Sequence, residues 1–431
     1  MSSKKIGLSE ITYFVICISP FLAYLENSFI GTYIPLTLEL CYIIVQIYKH
    51  KWIIKTTFFF FMMWLVFVTI VNYNGNTTSV NRMVGELVIL LAVLMISQDT
   101  RAYKFLAIYK VIAKVCLFYF VVQVVLMYTI SFPLQFTLPF FPVKDELELA
   151  FNFLSYYNRD MTYIRFPGPF SEPSHYAAYL IPLLAILLFD DEKKLQEKWK
   201  LPVLISITMI ISTSGVGILL CAATWGMYFA FNYSTTKNRL MLLPFIVMAA
   251  ITIFSLLMMY NEQFSITVSN LFRVQDQVRF ATGSKADYRI YRGFSMYYQL
   301  PVLNKLFGVG FANMNDFAIS HNIGTAYDIA TFQTVEYYNG ISQILLYSGI
   351  VGFCLWVKGI IDFSKKMMKV GKMILVLYIT YLVGSGNLFS GYSSIFLICA
   401  VLAGKEYVYS REYAYNPRYL GIKLKRKKVR Y

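Results

Sequence analysis

Apolar blocks of about membrane-spanning length recur along the chain and are separated by short polar stretches. A helix needs about 20 apolar residues to cross the hydrocarbon core of a bilayer. The pattern predicts an all-α fold, a polytopic transmembrane helix bundle that forms a single integral membrane domain over residues 1–431. About twelve spans are predicted, at residues 11–25, 29–48, 52–71, 80–97, 105–130, 173–189, 201–212, 214–233, 241–260, 337–357, 373–385 and 389–403.

The segment 201–233 is compatible with one long span or with two short ones. Basic residues flank it on both sides, at 190–200 and at Lys237 and Arg239. One span would put these two basic loops on opposite sides of the membrane, whereas two spans that meet at Ser212-Thr-Ser-Gly215 keep both inside. Because cytoplasmic loops carry an excess of Lys and Arg, we predict two spans.

The composition agrees with a membrane protein. The chain of 431 residues is 58% hydrophobic and 14% charged, with a mean hydropathy of +0.55, whereas a soluble domain has about 25% charged residues. All six cysteines lie inside apolar blocks and the three histidines are scattered, so we expect no disulfide framework and no metal site. The first residues lack a cleavage pattern, and we expect them to begin a retained helix.

The net charge of +16 is distributed unevenly along the chain. With the N-terminus cytoplasmic, most of the 39 basic residues fall on the inside, including those of the tail 404–431, as the positive-inside rule requires. More than half of the arginines but few of the lysines lie in predicted outer segments. Arginine binds phosphate or carboxylate through a planar fork of donors, so these outer arginines suggest an anionic ligand. No nucleic-acid-binding motif accompanies the basic tail, and we expect no nucleic-acid partner.

The first of two long predicted outer loops covers residues 131–172. It ends in the motif Arg165-Phe-Pro-Gly-Pro-Phe-Ser-Glu172-Pro-Ser-His175, whose prolines exclude a regular helix and whose Gly168 permits a tight turn. One interpretation is that Arg165, Glu172 and His175 are held on a stiff, extended piece at the outer surface. The alternative is a re-entrant turn in which Glu172 helps to cap the helix that follows.

The second outer loop, residues 261–336, is the longest segment without an apolar block. Ser284 and Asp287 form a Ser-x-x-Asp box that predicts a helix start, and Pro301 closes the segment. Spacing gives this amphipathic helix a basic face and an apolar face, formed respectively by Lys285, Arg289 and Arg292 and by Ala286, Ile290, Phe294 and Tyr297.

Two interpretations of this helix are open: it packs on the bundle with its charges in solvent, or its basic face binds an anion. The second agrees with chemistry outside a cell membrane, where a reaction needs a pre-activated substrate such as a lipid-pyrophosphate-linked sugar. Arginines would stabilise the charge of the leaving pyrophosphate, and His321, Glu172 or Glu336 would be the general base. The Gly308-Val-Gly310 sequence is weak support for a nucleotide site, because it lacks the strand context.

Several motifs follow one another within residues 80–400, namely Arg165 to His175, Ser212 to Gly215, Arg292 to Gly310, His321-Asn322, Gly340 and Gly349-Ile-Val-Gly352. In their order and predicted topology they resemble the Wzy-type polysaccharide polymerases, which are similar to the O-antigen ligases. The resemblance implies a GT-C-like membrane glycosyltransferase. Such an enzyme transfers a growing glycan from undecaprenyl pyrophosphate onto the next lipid-linked repeat unit, without a metal, a nucleotide or another cofactor.

The resemblance also implies site residues. The family's loop arginines correspond to Arg165, Arg289 and Arg292, and the loop histidine of the ligases corresponds to His321. Gly215 stands where the ligases often have an arginine, which puts a role for that position in doubt. The expected catalytic residues are His321, Glu172, Arg292 and Arg289, and the expected substrate-binding residues are Arg165, Arg279, Arg273, His175, Asn322, Glu336 and Arg82.

The implied partners are the lipid-linked glycan donor and acceptor, the lipid bilayer, a chain-length regulator and a flippase. The implied location is the bacterial cell (inner) membrane, with both termini cytoplasmic and O-antigen or capsular polysaccharide as the product. Two alternatives stay open. An O-antigen ligase would use the same chemistry on a different acceptor. A flippase or other transporter of lipid-linked sugars would also need many spans, but its repeat halves have no counterpart in this sequence.

Overall fold

In the computed structural model, every regular element of the described residues is a helix, as the sequence predicts. The structure describes residues 7–22, 33–50, 57–73, 75, 77–99, 102–132, 134, 166–170, 172–189, 199–212, 214–233, 285–311, 313–324, 339–365, 367–384, 388 and 390–405. The helices in these ranges are α1 (Leu8–Leu22), α2 (Ile34–His50), α3 (Thr57–Val71), α4 (Thr77–Gln98), α5 (Tyr103–Ile130), α6 (Pro173–Phe189), α7 (Lys200–Ile211), α8 (Gly215–Tyr233), α9 (Lys285–Gln299), α10 (Val302–Phe307), α11 (Met314–Ser320), α12 (Gly340–Lys365), α13 (Lys369–Gly384) and α14 (Gly391–Ala403).

Eleven of the twelve predicted spans coincide with helices, and the twelfth, residues 241–260, lies outside the described residues. Among the described helices, α5 and α12 are long and apolar enough to cross a membrane by length and composition. Seven further helices consist of, or contain, shorter apolar helical stretches of 10–17 residues. These helices suggest membrane association, while the twelve-span topology stays a prediction.

Helices α6 and α14 form the centre of the bundle. Both are apolar around their whole circumference, and a helix of that kind is buried on all sides. Helix α6 packs against α5, α7, α8, α13 and α14. Its small residues permit this crowding: a Cβ on Gly217 of α8 would lie 2.8 Å from Cβ of Ala177, as in closely packed membrane helices.

Helices α1, α2 and α4 are joined by a buried carboxylate that follows α4. Tyr13 and Tyr42 donate hydrogen bonds to Oδ2 of Asp99 at 2.6 and 3.1 Å, and Gln46 Nε2 donates to the same oxygen at 3.1 Å. All four side chains are buried. A buried carboxylate needs such donors to replace water, so Asp99 fixes the relative positions of three helices.

The predicted division of residues 201–233 is present. Helix α7 ends at Ile211 and α8 begins at Gly215, and the Ser214 hydroxyl accepts a hydrogen bond from the Gly217 nitrogen at 3.2 Å as an N-terminal cap. The twelve residues of α7 extend only about 18 Å at 1.5 Å per residue. This length is shorter than the hydrocarbon core of a bilayer.

Helix α12, which the sequence predicts as an uninterrupted span, is broken at Gly349, where φ is 63° and ψ is −170°. The segment Gly308-Val-Gly310 fills the break. The nitrogens of Val309 and Gly310 donate to the carbonyls of Leu346 and Tyr347 at 2.9 and 3.0 Å. These bonds satisfy carbonyls that a broken helix would otherwise leave unpaired. The Gly-x-Gly sequence thus has a structural reason other than nucleotide binding.

Candidate functional site

The helix predicted after Ser284 is present as α9, and Arg292 on its predicted basic face is turned toward the bundle. Arg292 is 4% exposed and lies beside the buried Met296, whereas Tyr298 is 80% exposed and Phe294 is also exposed. Helix α9 packs against α12 and α13. At 100° per residue, positions 285 and 289 share the face of Arg292. Solvated charges, the first interpretation of this helix, are therefore wrong for Arg292.

A guanidinium in this position favours an anionic ligand. Arginine keeps its charge and carries five donors in a fixed fork, which suits two oxygens of one phosphate. Burial of a charge costs free energy unless opposite charge or hydrogen-bond acceptors surround it. Arg292 is thus a candidate to bind an anion between α9 and the bundle.

Helix α9 is tied to the segment that carries His321. The Gln299 Oε1 atom, at the end of α9, accepts from the Gly324 nitrogen at 3.1 Å. The Tyr297 hydroxyl donates to the Lys305 carbonyl at 3.0 Å, which joins α9 to α10. The structure therefore brings the basic helix and the His321 segment together, although they are about 30 residues apart in sequence.

The exposed His321 ring is oriented by its own helix. It stacks on Phe317 with ring centroids 4.0 Å apart, and Nδ1 lies 2.9 Å from Ser320 Oγ and 3.1 Å from the Phe317 carbonyl. The Ser320 hydroxyl also donates to the Phe317 carbonyl at 3.0 Å. These contacts fix the orientation of the exposed ring on α11.

Asn322 ends helix α11 in the left-handed conformation, with φ at 51°. Its nitrogen donates to the Ile319 carbonyl at 3.4 Å, and the Ile323 nitrogen donates to the Ala318 carbonyl at 2.8 Å. These two bonds make a Schellman cap, in which Gly and Asn are the preferred residues. The cap explains Asn at this position independently of the sugar contact that the sequence suggests.

We expect Asn322→Gly to leave the thermal stability of the protein nearly unchanged and Asn322→Ala to lower it by about 1 kcal/mol, because alanine disfavours the left-handed conformation. Thermal unfolding of the detergent-solubilised protein measures both variants. A destabilised Asn322→Gly would contradict the capping role. If Asn322→Gly kept normal stability but lost the glycan product that the resemblance implies, the Asn322 side-chain amide would be assigned to substrate binding.

The Pro-Gly motif forms a buried turn. All five residues 166–170 are buried, Gly168 has φ of 64°, and the Phe170 nitrogen donates to the Pro167 carbonyl at 3.3 Å. The tight turn at Gly168 is as predicted, but the stiff, extended piece at the outer surface is wrong for these residues. The turn is buried because its aromatic rings pack against α1, α5, α6 and α14.

Gln123 of α5 holds both ends of this loop, and sequence reasoning did not single it out. Its Oε1 atom accepts from the Gly168 nitrogen at 3.0 Å, and its Nε2 atom donates to the Leu134 carbonyl at 2.8 Å. The side chain is fully buried. A glutamine within an apolar span is the only signal that could have identified it, because a buried amide needs partners.

Glu172 directly precedes α6, and His175 lies in the first turn of that helix. The Glu172 carbonyl accepts from the nitrogens of His175 and Tyr176 at 3.1 and 3.3 Å, and its Oε2 accepts from Ser174 Oγ at 3.0 Å. The His175 ring stacks on Tyr392 of α14 at 4.4 Å, and Phe170 contacts the same tyrosine. Sequence reasoning missed Tyr392, which has no distinguishing neighbours.

For two further predicted site residues, Arg289 and Arg82, the structure gives the position along the helix. Arg289 is on the face of α9 that carries Arg292, and Arg82 lies in the second turn of α4. Helix α13 packs against both α9 and α6, so Arg292 and Glu172 lie on helices with a common neighbour. Four predicted residues lie outside the described residues: Arg165, Arg273, Arg279 and Glu336.

Within the described residues, no group of three or more His, Cys, Asp or Glu side chains could hold a metal ion. The side chains available for chemistry there include a buried arginine, an exposed histidine and a glutamate that accepts a hydrogen bond from Ser174. Comparisons of the chain with models of known protein families, with curated proteins and with solved structures each find no match.

Proposed function

We propose that the chain is a membrane glycosyltransferase that polymerises undecaprenyl-pyrophosphate-linked oligosaccharide repeat units at the outer face of a bacterial cell membrane. The product would be O-antigen or capsular polysaccharide. The supporting observation is Arg292, which is buried where α9 packs against the bundle. A lipid pyrophosphate is an anion that a membrane bundle can receive, and the resemblance of the motifs to the Wzy-type polymerases supports the same class.

In the proposed reaction, the acceptor hydroxyl oxygen bonds to the anomeric carbon of the donor sugar. The bond from that carbon to the phosphate oxygen breaks, and undecaprenyl pyrophosphate leaves. Arg292 and Arg289, with Arg279, hold the pyrophosphate and stabilise the charge that develops on it. Arg165 helps to hold donor or acceptor. The hydroxyl proton passes to a general base.

Two residues are candidates for that base among the described residues. His321 offers an exposed imidazole that is oriented by stacking on Phe317. Glu172 offers a carboxylate that already accepts one hydrogen bond from Ser174. The His321 segment is joined to α9 by the hydrogen bond between Gln299 and Gly324. We therefore assign His321 as base and Glu172 to acceptor binding or as the second candidate.

The proposed topology has about twelve spans, cytoplasmic termini and two outer loops. Helices α5 and α12 support spanning by their length and composition. A chain-length regulator and a flippase for the lipid-linked repeat would be the protein partners. An O-antigen ligase and a flippase are the competing functions, and one experiment separates all three.

The experiment is a gel of surface glycan from a strain that lacks the gene, with the wild-type gene restored as control. Glycan reduced to a single repeat unit, still delivered to its final acceptor, is the result expected of a polymerase. Long chains that stay on undecaprenyl pyrophosphate would mean a ligase. Repeats trapped on the cytoplasmic side would mean a flippase and would overturn the assignment of the arginines.

A further inference from the structure

Helix α10 has an exposed apolar surface, which is unexpected for a segment of a water-exposed loop. Val302 and Leu303 are 70% and 68% exposed, and Leu306 and Phe307 are exposed as well. Four large apolar side chains out of six residues would be costly in water, at about 25 cal/mol per Å² of apolar surface. Contiguous exposed apolar surface of this kind marks an interaction site.

The surface is held rigidly. Lys305 and Gly308 donate backbone hydrogen bonds to Pro301 and Asn304 at 2.9 and 2.8 Å, which closes the helix at both ends. The next residues are bonded into the break of α12, where Val309 donates to Leu346. Helix α10 is therefore fixed against α12 by main-chain bonds on its C-terminal side.

The position of α10 along α12 favours lipid as the occupant. Leu346 lies six residues into α12 from its start at Gly340, a depth of about 9 Å at 1.5 Å per residue. Helix α12 is one of the two described helices that are long and apolar enough to cross a membrane. A segment bonded at that depth lies beside the hydrocarbon region if α12 spans the bilayer.

The apolar surface of α10 is also continuous with that of α3. The Phe307 ring lies 5.9 Å from Trp64, and Trp64 lies 5.7 Å from Phe67, which is exposed. Further along α3 the side chains of Met63 and Ile70 are exposed as well. An apolar strip of this length on one side of a helix bundle matches acyl chains.

Lys305 of α10 and Tyr298 of α9 are residue types typical of a membrane interface. Lys305 Nζ lies 5.1 Å from the centre of the Tyr298 ring. Tyrosine and lysine are favoured at the headgroup level, where the ring is half apolar and the ammonium reaches water. Tyr298 and Lys305 would thus mark the boundary, with the four apolar side chains below it.

We infer that α10 is inserted into the outer leaflet of the bilayer and anchors the basic helix α9 at the membrane surface. The inference rests on the proposed membrane location. Under this inference, the α10 part of the predicted outer loop 261–336 contacts lipid instead of water. The anchor would keep Arg292 near headgroup depth, where the phosphates of a lipid-linked substrate lie.

Site-directed spin labelling tests this inference on the full chain in lipid nanodiscs. The six native cysteines are replaced by alanine, and single cysteines at Val302 and at Leu303 carry the nitroxide. Collision rates are measured with oxygen, which partitions into lipid, and with a water-soluble nickel chelate. Phe118 on α5, which is exposed on a helix of spanning length, is the lipid control, and the exposed Asp316 on α11 is the water control.

We expect oxygen to collide several times more often than the nickel chelate at positions 302 and 303, as at position 118. A nickel-dominated pattern at 302 and 303 with a lipid pattern at 118 would place α10 in water and overturn the inference alone. Shielding from both reagents would mean that protein covers α10, which also overturns it. A nickel-dominated pattern at 118 would overturn the membrane location and the proposed function as well.

Discussion

Replacing Arg292 with alanine is expected to abolish long glycan chains while the protein persists in the membrane at its normal level. Arg292 lies on the buried face of α9, where a bound pyrophosphate would need its charge and its paired donors. Loss of one such donor group should raise the barrier by about 2–4 kcal/mol, or roughly 30- to 1,000-fold in rate. A gel of surface glycan and an immunoblot of the membrane fraction measure the two quantities.

The matched control is Ser295→Ala, on the same helix but on its exposed side, which should give normal chains. Arg292→Lys keeps the charge and loses the planar fork, so it should restore the polymer only in part. If the Arg292→Ala variant made glycan chains of normal length, the proposal that Arg292 binds the donor pyrophosphate would be wrong. A melting temperature that falls equally in the alanine and lysine variants, together with low protein level, would assign Arg292 to the fold instead.

Replacing Gly349 with alanine is expected to destabilise the protein strongly. A Cβ at this position would lie 2.6 Å from the Gly308 nitrogen and closer still to the carbonyl of Leu306. The backbone at φ 63° would also be strained with any L side chain. Strain and overlap together should cost on the order of 2–4 kcal/mol, seen as a lower apparent melting temperature in detergent.

Gly85→Ala in α4 is the control, because a Cβ there meets nothing within 4 Å. In a helix interior this change should be neutral or slightly stabilising, by about 0.5–1 kcal/mol. If Gly349→Ala melts at the wild-type temperature while Gly85→Ala behaves as expected, the break in α12 is not a fixed feature of the fold. The bonds from Val309 and Gly310 would then contribute little to stability.

Hydrophobic patterning predicted the helices well, because each apolar block is a local property of the sequence. It did not predict the break in α12, since a glycine in an apolar span is unremarkable by itself. The break depends on Gly308 to Gly310, which lie about 40 residues away. A long-range backbone pairing of this kind leaves no periodic signal.

The orientation of α9 shows the same limit at the candidate site. The Ser-x-x-Asp box and Pro301 locate the helix to within a few residues. Periodicity then defines two faces but does not say which one meets the protein, and the ordinary expectation puts the charged face in water. Arg292 is buried instead, and only the packing of α9 on α12 and α13 reveals it.

The partners of Asp99 were hidden for a related reason. Tyr13 and Tyr42 count as apolar residues within predicted spans, and Asp99 resembles an ordinary charge at the end of a span. The three meet only after α1, α2 and α4 have packed. Local sequence patterns predict the individual helices, whereas contacts between buried polar groups are known only once the helices have packed together.

The two contacts of Gln123 bear on how the chain tolerates changes of length between them. One amide binds the chain at Leu134, where it leaves α5, and at Gly168, where it returns to α6. With both ends fastened, an insertion or deletion between Leu134 and Gly168 need not displace α5 or α6. Doubling the length of such a segment costs only about 0.6 kcal/mol of closure entropy. The bundle should therefore tolerate large changes of length at this place in the chain.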